Sequence, residues 1–425
     1  MAPTTDPKSG CRAFADPAMR YSAYGMHESP TVVDLFAGAG GLSLGFVRAG
    51  ARIIAAYDNW KVAVETYARN LGDHVHERAI SRSLQIETPD IIVGGPPCQG
   101  FSSAGMRRAD DKRNTLVGEF SRLIASVQPR AFVFENVEGF LTGARGAFVF
   151  DLLEPLVGAG YRIHLRKVNA AQYGVPQHRK RVVAIGGLGW DPSFPKPTHA
   201  AFGAPGAHLG NGRGMNLTPT VDEALRALPS ASIENPSVRD HSYEPLRGED
   251  LARARLLKPG QSMRDLPEHL WHESYKRRAF RRVIDGTPTE RRGGAPFGVR
   301  RLKPNEPSKA ITSGALREFL HPHEDRGLTV RECAVLQTFP IDFAFAGSAS
   351  DRIQLIGNAV PPLLGERIAR SLLADFGEGR TRSGDGALLS FVPTLSSGMS
   401  PALFEVTRRV LRTFPPTSEM ALLWH

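Results

Sequence analysis

Between Thr31 and about Gly187 the chain alternates short apolar runs with stretches of helical period. Thr31-Val32-Val33-Asp34-Leu35-Phe36, Arg52-Ile53-Ile54-Ala55-Ala56-Tyr57, Ile91 to Gly94, Ala131-Phe132-Val133-Phe134-Glu135 and Val182-Val183-Ala184-Ile185 read as strands. Leu42 to Ala49, Val62 to Asn70 and Asn114 to Val127 read as helices, the last closed by Pro129. This alternation predicts an α/β fold on a doubly wound, mostly parallel sheet. Sheets of that kind build their sites at the carboxyl ends of the strands, so the residues following each apolar run are the candidates for chemistry.

After Trp190 the periodicity fades and Pro and Gly become frequent. The pattern predicts a catalytic and cofactor-binding domain over 29–189, a smaller irregular domain over 190–301, and a return to the first domain over 302–375. In that return, Thr329 is an expected N-cap with Glu332 three residues on, and a last helix is expected from Pro362 to about Leu373. Residues 1–28 read as a loosely ordered leader. Residues 376–425 are Gly/Ser/Arg-rich, then weakly amphipathic, and suggest no role.

Charge sharpens the picture of the irregular domain. The 425 residues carry 53 Lys and Arg against 43 Asp and Glu, a net charge of +10. Fourteen of the basic residues fall between Leu251 and Lys303, against five carboxylates. A polyanion suits such a segment, although an ordinary solvated basic surface would look the same. The three cysteines, Cys11, Cys98 and Cys333, form no Cys-x-x-Cys pair. Neither a disulfide framework nor a metal site is indicated, and a reducing compartment fits. With no membrane-length apolar run and no apolar signal core at the start, a cytoplasmic protein is expected, and a monomer.

The candidate chemistry sits where the sheet argument puts it. Gly94-Gly95-Pro96-Pro97-Cys98-Gln99-Gly100-Phe101-Ser102 follows a buried strand, so Cys98 reads as a nucleophile on a stiff backbone rather than a core cysteine. Asp34-Leu35-Phe36-Ala37-Gly38-Ala39-Gly40-Gly41 is a strand-to-helix turn whose glycines let backbone approach a ligand. Asp58 ends the second strand, where it could bind ribose hydroxyls or cap a helix. Glu135 ends another strand on the same edge as Cys98 and could move a proton there. Gln177-His178-Arg179-Lys180-Arg181 precedes a strand, and Gln177, Arg179 and Arg181 are expected to alternate to one side, suiting phosphate or a carbonyl oxygen; His178 reads as a bystander. Gly357-Asn358-Ala359-Val360-Pro361 opens the expected last helix, where it could close a cofactor pocket.

With these motifs in order, joined by Arg331-Glu332 and Leu336-Gln337-Thr338-Phe339-Pro340, the sequence resembles the DNA (cytosine-5) methyltransferases of prokaryotic restriction-modification type. The motifs span Asp34 to Pro361, about three quarters of the chain. The resemblance implies a class I S-adenosylmethionine-dependent fold whose last helix packs beside the Gly-rich turn, with 190–301 as the target-recognition domain. It implies a cofactor site of Phe36, Gly38, Gly40, Asp58, Ile80, Leu116, Asn358 and Val360. Residues 99–113 resemble the family's mobile catalytic loop, so that Gln99, Ser102, Ser103, Arg107 and Arg108, with Gln177 and Arg181, become candidate DNA contacts. Two positions depart from the family pattern: Ala79-Ile80 stands where an acidic then an apolar residue is usual, and Asp58 where glutamate is commoner.

The reaction so implied is methylation of carbon 5 of a cytosine flipped out of double-stranded DNA. The Cys98 thiolate would add to carbon 6, Glu135 would protonate ring nitrogen 3, and Arg179 would orient the base and stabilise charge on its carbonyl oxygen. A tRNA cytosine-5 methyltransferase and a non-catalytic DNA-binding protein with this fold are the competing readings. A cognate restriction endonuclease acting on the same site is the implied biological partner.

Overall fold

The computed structural model describes residues 29–97, 116–204, 214–234, 236–276, 298–377, 384–395 and 398–415. Its centre is an eight-stranded sheet. The strands are β1 (Thr31–Leu35), β2 (Arg52–Asp58), β3 (Val75–Glu77), β4 (Ile91–Gly94), β5 (Ala131–Val137), β6 (Tyr161–Asn169), β7 (Lys180–Leu188) and β8 (Ala387–Val392). They run in the spatial order β8-β6-β7-β5-β4-β1-β2-β3. Only β7 is antiparallel to its neighbours, β5 and β6; every other pairing in the sheet is parallel.

The apolar runs are continuous because both faces of the sheet are covered. Val33, Ile92, Phe132 and Phe134 face one core, against α3 (Leu116–Val127) and α4 (Ala147–Gly158), through Phe120, Ile124, Leu152 and Leu153. Their neighbours Val32, Ile91, Val93, Ala131 and Val133 face the other, against α1 (Gly41–Arg48), through Phe46. A third apolar cluster joins Ala63 of α2 (Lys61–Leu71) to α5 (Val330–Leu336) and α6 (Ala349–Asn358). The expected cap of α5 is present: Glu332 N donates to Thr329 Oγ1 at 3.1 Å, and Thr329 N to Glu332 Oε2 at 2.8 Å.

The helix α7 (Pro362–Gly377) runs beyond the expected Leu373 and packs on α1. Contact is backbone to backbone: a Cβ added at Gly45 would lie 2.5 Å from Glu366 N. α7 is not the last element. β8 pairs in parallel with the edge strand β6, and α8 (Pro401–Thr413) buries Val406 and Val410 in the same core as Leu152. The carboxyl-terminal extension therefore completes the sheet.

The irregular segment has a small core, formed by Ala254, Leu257, Met263, Leu266, Tyr275 and Val299 together with Leu320 of the returning segment. Two members of the basic run belong to its interior, contrary to a wholly polyanion-facing segment. Arg301 is 5% exposed and donates to the carbonyls of Ala254, Leu257, His321 and Glu324 at 2.6–2.8 Å. Arg253 is 7% exposed, bonding Leu270 O and pairing with Glu249 and Asp250. Residues 277–297 of the basic run lie outside the described residues. No helix among the described residues is long and apolar enough to cross a membrane.

Candidate active site

A cleft of about 950 Å³ opens at the carboxyl edge of the sheet, over the ends of β1, β2, β4 and β5. One wall is the Gly-rich turn after β1. Its backbone takes left-handed conformations at Phe36 (φ 60°), Gly38 (φ 56°) and Gly40 (φ 82°), a geometry glycine adopts freely and phenylalanine only under constraint. Asp58 supplies part of that constraint, because its carboxylate accepts from Gly38 N and from Trp60 N, each at 2.8 Å. The N-cap of α2 is Trp60, so Asp58 ties two turns together rather than capping a helix. Burial raises the Asp58 pKa, and the backbone donors oppose that rise.

Of the eight residues expected to hold a cofactor, Phe36, Gly38, Asp58, Leu116, Asn358 and Val360 line the cleft together. The remaining two residues of that expectation do not. Ile80 packs in the apolar core with Tyr57 and Phe120 and does not line the cleft. Gly40 stands behind the turn, where a Cβ would strike Tyr67 at 2.9 Å. Gly41 lines the cleft, and a Cβ there would collide with the Val360 carbonyl. The turn thus touches the segment that opens α7.

The opposite wall carries the groups expected to do chemistry. Asn136 Nδ2 donates to Pro96 O at 3.2 Å, pinning the Gly95–Pro97 segment to the end of β5. Gly95 lets Glu135 sit close, since a Cβ at Gly95 would be 3.2 Å from Glu135 Oε2. The Glu135 carboxyl is buried, which raises its pKa, while the cations of Arg181 and then Arg179 pull it down. Arg181 Nε stands 2.8 Å from Glu135 Oε1.

Arg179 is 1% exposed but lines the cleft. Nη1 donates to Ile311 O at 2.9 Å, and Nη2 to Gly357 O and Ala359 O at 2.7 and 2.9 Å. Its Nε is buried without a partner, which leaves one donor unused. Gln177 meets the same neighbour, its Oε1 accepting from Ile311 N at 3.0 Å, but it does not line the cleft. Gln177 is fully buried, bonded to Leu336 O, Gln337 and Ile311 N, and so has no surface to present to DNA. The chain changes partners here: Gln177–His178 pairs with Ser308–Lys309, and the main sheet resumes only at Lys180. His178 is held by Asn169 and Phe202 O, and burial lowers its pKa, in keeping with a bystander.

Cys98, Gln99, Ser102, Ser103, Arg107 and Arg108 lie outside the described residues. The cleft also has walls that the sequence did not announce. Asp34 receives a 2.6 Å bond from Ser43 Oγ, and burial pushes its pKa up to about 7. Asp34 opens the Gly-rich motif, so its place was readable though its role was not. Trp60 sits two residues past Asp58, and Thr312 and Ser313 come from a loop without any periodic signal.

Residues 30–374 match the family model for the C-5 cytosine-specific DNA methylases. Type II methyltransferase M1.HphI of Haemophilus parahaemolyticus is 35% identical over 367 residues, covering 83% of this chain and 89% of that protein. M.AgeI of Thalassovita gelatinovora is 30% identical over 428 residues, covering 80% and 98%. Among solved structures, an E. coli prophage chain described as a DNA modification methyltransferase superposes with a TM-score of 0.59 at 26% identity, covering 81% of this chain and 99% of that one. The S. pombe Dnmt2 methyltransferase, 16% identical with a TM-score of 0.55 over 82% of this chain and 99% of its own, shares the fold. Since the family model covers most of the chain, and the relatives agree with it along nearly their whole lengths, the chain belongs to the C-5 cytosine-specific DNA methylases.

Proposed function

We propose that this methylase works through Cys98, Glu135 and Arg179, on a cytosine turned out of a short specific sequence in double-stranded DNA. The observation that carries the reading is the buried Glu135 carboxyl beside Gly95, one arm of a segment pinned by Asn136 that leads directly into Cys98 in the sequence.

The cleft fits S-adenosylmethionine. Asp58 is held by two backbone donors in a position suited to ribose hydroxyls, Phe36 and Trp60 offer aromatic surface, and Gly38 has open space where a side chain would intrude. Phe36, Gly38, Asp58, Leu116, Asn358 and Val360 would hold it. When bound it supplies an electrophilic methyl group. The protein must make cytosine carbon 5 nucleophilic, and Cys98 would do so by bonding to carbon 6 while Glu135 gives a proton to ring nitrogen 3. Burial favours the protonated carboxyl that this step requires. The free Nε of Arg179 is the donor available for the base's carbonyl oxygen. Loss of the carbon 5 proton and expulsion of the thiol would then release 5-methylcytosine.

Gln99, Ser102, Ser103, Arg107, Arg108 and Arg181 remain the proposed DNA contacts of this core, with 190–301 reading the sequence. A monomer acting in the cytoplasm beside a restriction endonuclease of the same specificity completes the proposal; M1.HphI and M.AgeI are both named as Type II methyltransferases. DNA carrying 5-fluorocytosine tests the chemistry, because fluorine cannot leave as the proton does. Wild-type protein should be trapped as a covalent adduct and Cys98→Ala should not; equal turnover by the two proteins would refute the mechanism.

A further inference from the structure

The family match ends at residue 374, yet the chain beyond it reaches the active site. Because β8 runs parallel to β6, and β6 parallel to β5, its carboxyl end delivers Pro393 to the same sheet edge as Glu135. Pro393, Ser400 and Leu403 line the cleft on the side of Leu141 and Thr142. The start of α8 is thus a wall of the substrate cleft.

From that wall α8 presents an unusual outer face. Phe404 is 60% exposed, and Arg408 and exposed Arg412 follow it at intervals of four, on one stripe of the helix. The inner face is already spent: Val406 and Val410 enter the core, and Arg409 bonds Arg145 O at 2.8 Å and covers the Phe150 ring. The charge that Glu405 sets against Arg408 at 3.0 Å is an exposed pair, of the kind that exchanges readily for another anion.

We propose that Phe404, Arg408 and Arg412 form a contact surface for the DNA duplex flanking the target base. The stripe extends about 12 Å along the helix, or three to four base-pair steps of about 3.4 Å. Two features select this occupant: the stripe continues from the cleft that takes the substrate, and it pairs guanidinium groups with an exposed ring, a combination suited to phosphates and the apolar surface of sugars. The inference rests on duplex DNA being the substrate.

The test uses full-length protein and two duplexes built on the methylated sequence, one ending near the site and one extended by about a helical turn on each side. The Arg408→Gln/Arg412→Gln protein should bind the extended duplex at least about fivefold more weakly at low salt, and its log-log salt slope should fall by up to about 1.8. Phe404→Ala should weaken the extended duplex alone. Binding of S-adenosylmethionine and of the short duplex should be unchanged in both. Unaltered affinity and slope on the extended duplex would overturn the proposal, as would equal losses on both duplexes with a lowered Tm, or normal DNA binding with a changed oligomeric mass. Wild-type protein that bound neither duplex would instead reject DNA as the substrate.

Discussion

Arg181 stands 2.8 Å from Glu135, with Nε facing Oε1, in a pair that is almost wholly buried. Burial favours the neutral carboxyl and Arg181 favours the charged one, so the pair sets the pH at which Glu135 can give up a proton. Replacing Arg181 with Leu should raise the Glu135 pKa. The alkaline limb of the kcat profile should move to higher pH, because the protonated form that donates to the base persists further. Some stability should be lost, up to about 3 kcal/mol where Glu135 stays charged, since its partner is gone. A limb that stays in place under single-turnover conditions would take Glu135 out of proton transfer.

Arg179 joins the two halves of the site. Its Nη2 holds the carbonyls on either side of Asn358, which lines the cleft and is proposed to hold the cofactor, while Nε has no partner and is the donor proposed for the base. Arg179→Ala should therefore weaken S-adenosylmethionine binding as well as slow methyl transfer, and calorimetry and kcat should both register it. Arg179→Lys should restore little, because one ammonium cannot reproduce the fork that spans Ile311, Gly357 and Ala359. Intact cofactor affinity in Arg179→Ala would confine the residue to the substrate side.

Asp34 has a pKa lifted by burial from 3.8 to about 7, and the nearby Asp58 charge adds to the rise. The native state thus holds this proton more tightly than the unfolded chain does. The stability Asp34 contributes in its protonated form is complete below pH 3.8 and is lost as the pH rises to about 7. Asp34→Asn keeps an acceptor for Ser43 and removes the titration. Its stability relative to wild type should climb across that window, on the order of a few kcal/mol, and stay level above it. Parallel denaturation curves at every pH would contradict the assignment.

How much was legible follows from how local each signal is. The capping box at Thr329 and Glu332 lies within four residues, and the strands ending at Gly94 and Glu135 announce themselves by continuous apolar runs. β8 did not, because its partner β6 is more than two hundred residues away and its flanks are Gly- and Ser-rich. Alternation placed Gln177 with Arg179 but did not show that Gln177 is buried, because the groups that cover it, Leu336 and Gln337, lie about 160 residues away. A charge run likewise does not distinguish an exposed arginine from Arg301, whose guanidinium stitches four carbonyls inside the protein.

Base-resolution methylation sequencing of a plasmid that expresses the gene tests the central claim most directly. Wild-type protein should leave 5-methylcytosine at one cytosine of one short sequence, and Cys98→Ala and Glu135→Gln should leave the same sites unmodified or modified at least about a hundredfold more slowly. Unmodified plasmid despite folded, expressed wild-type protein, or methylation that survives in Cys98→Ala at the wild-type rate, would contradict it.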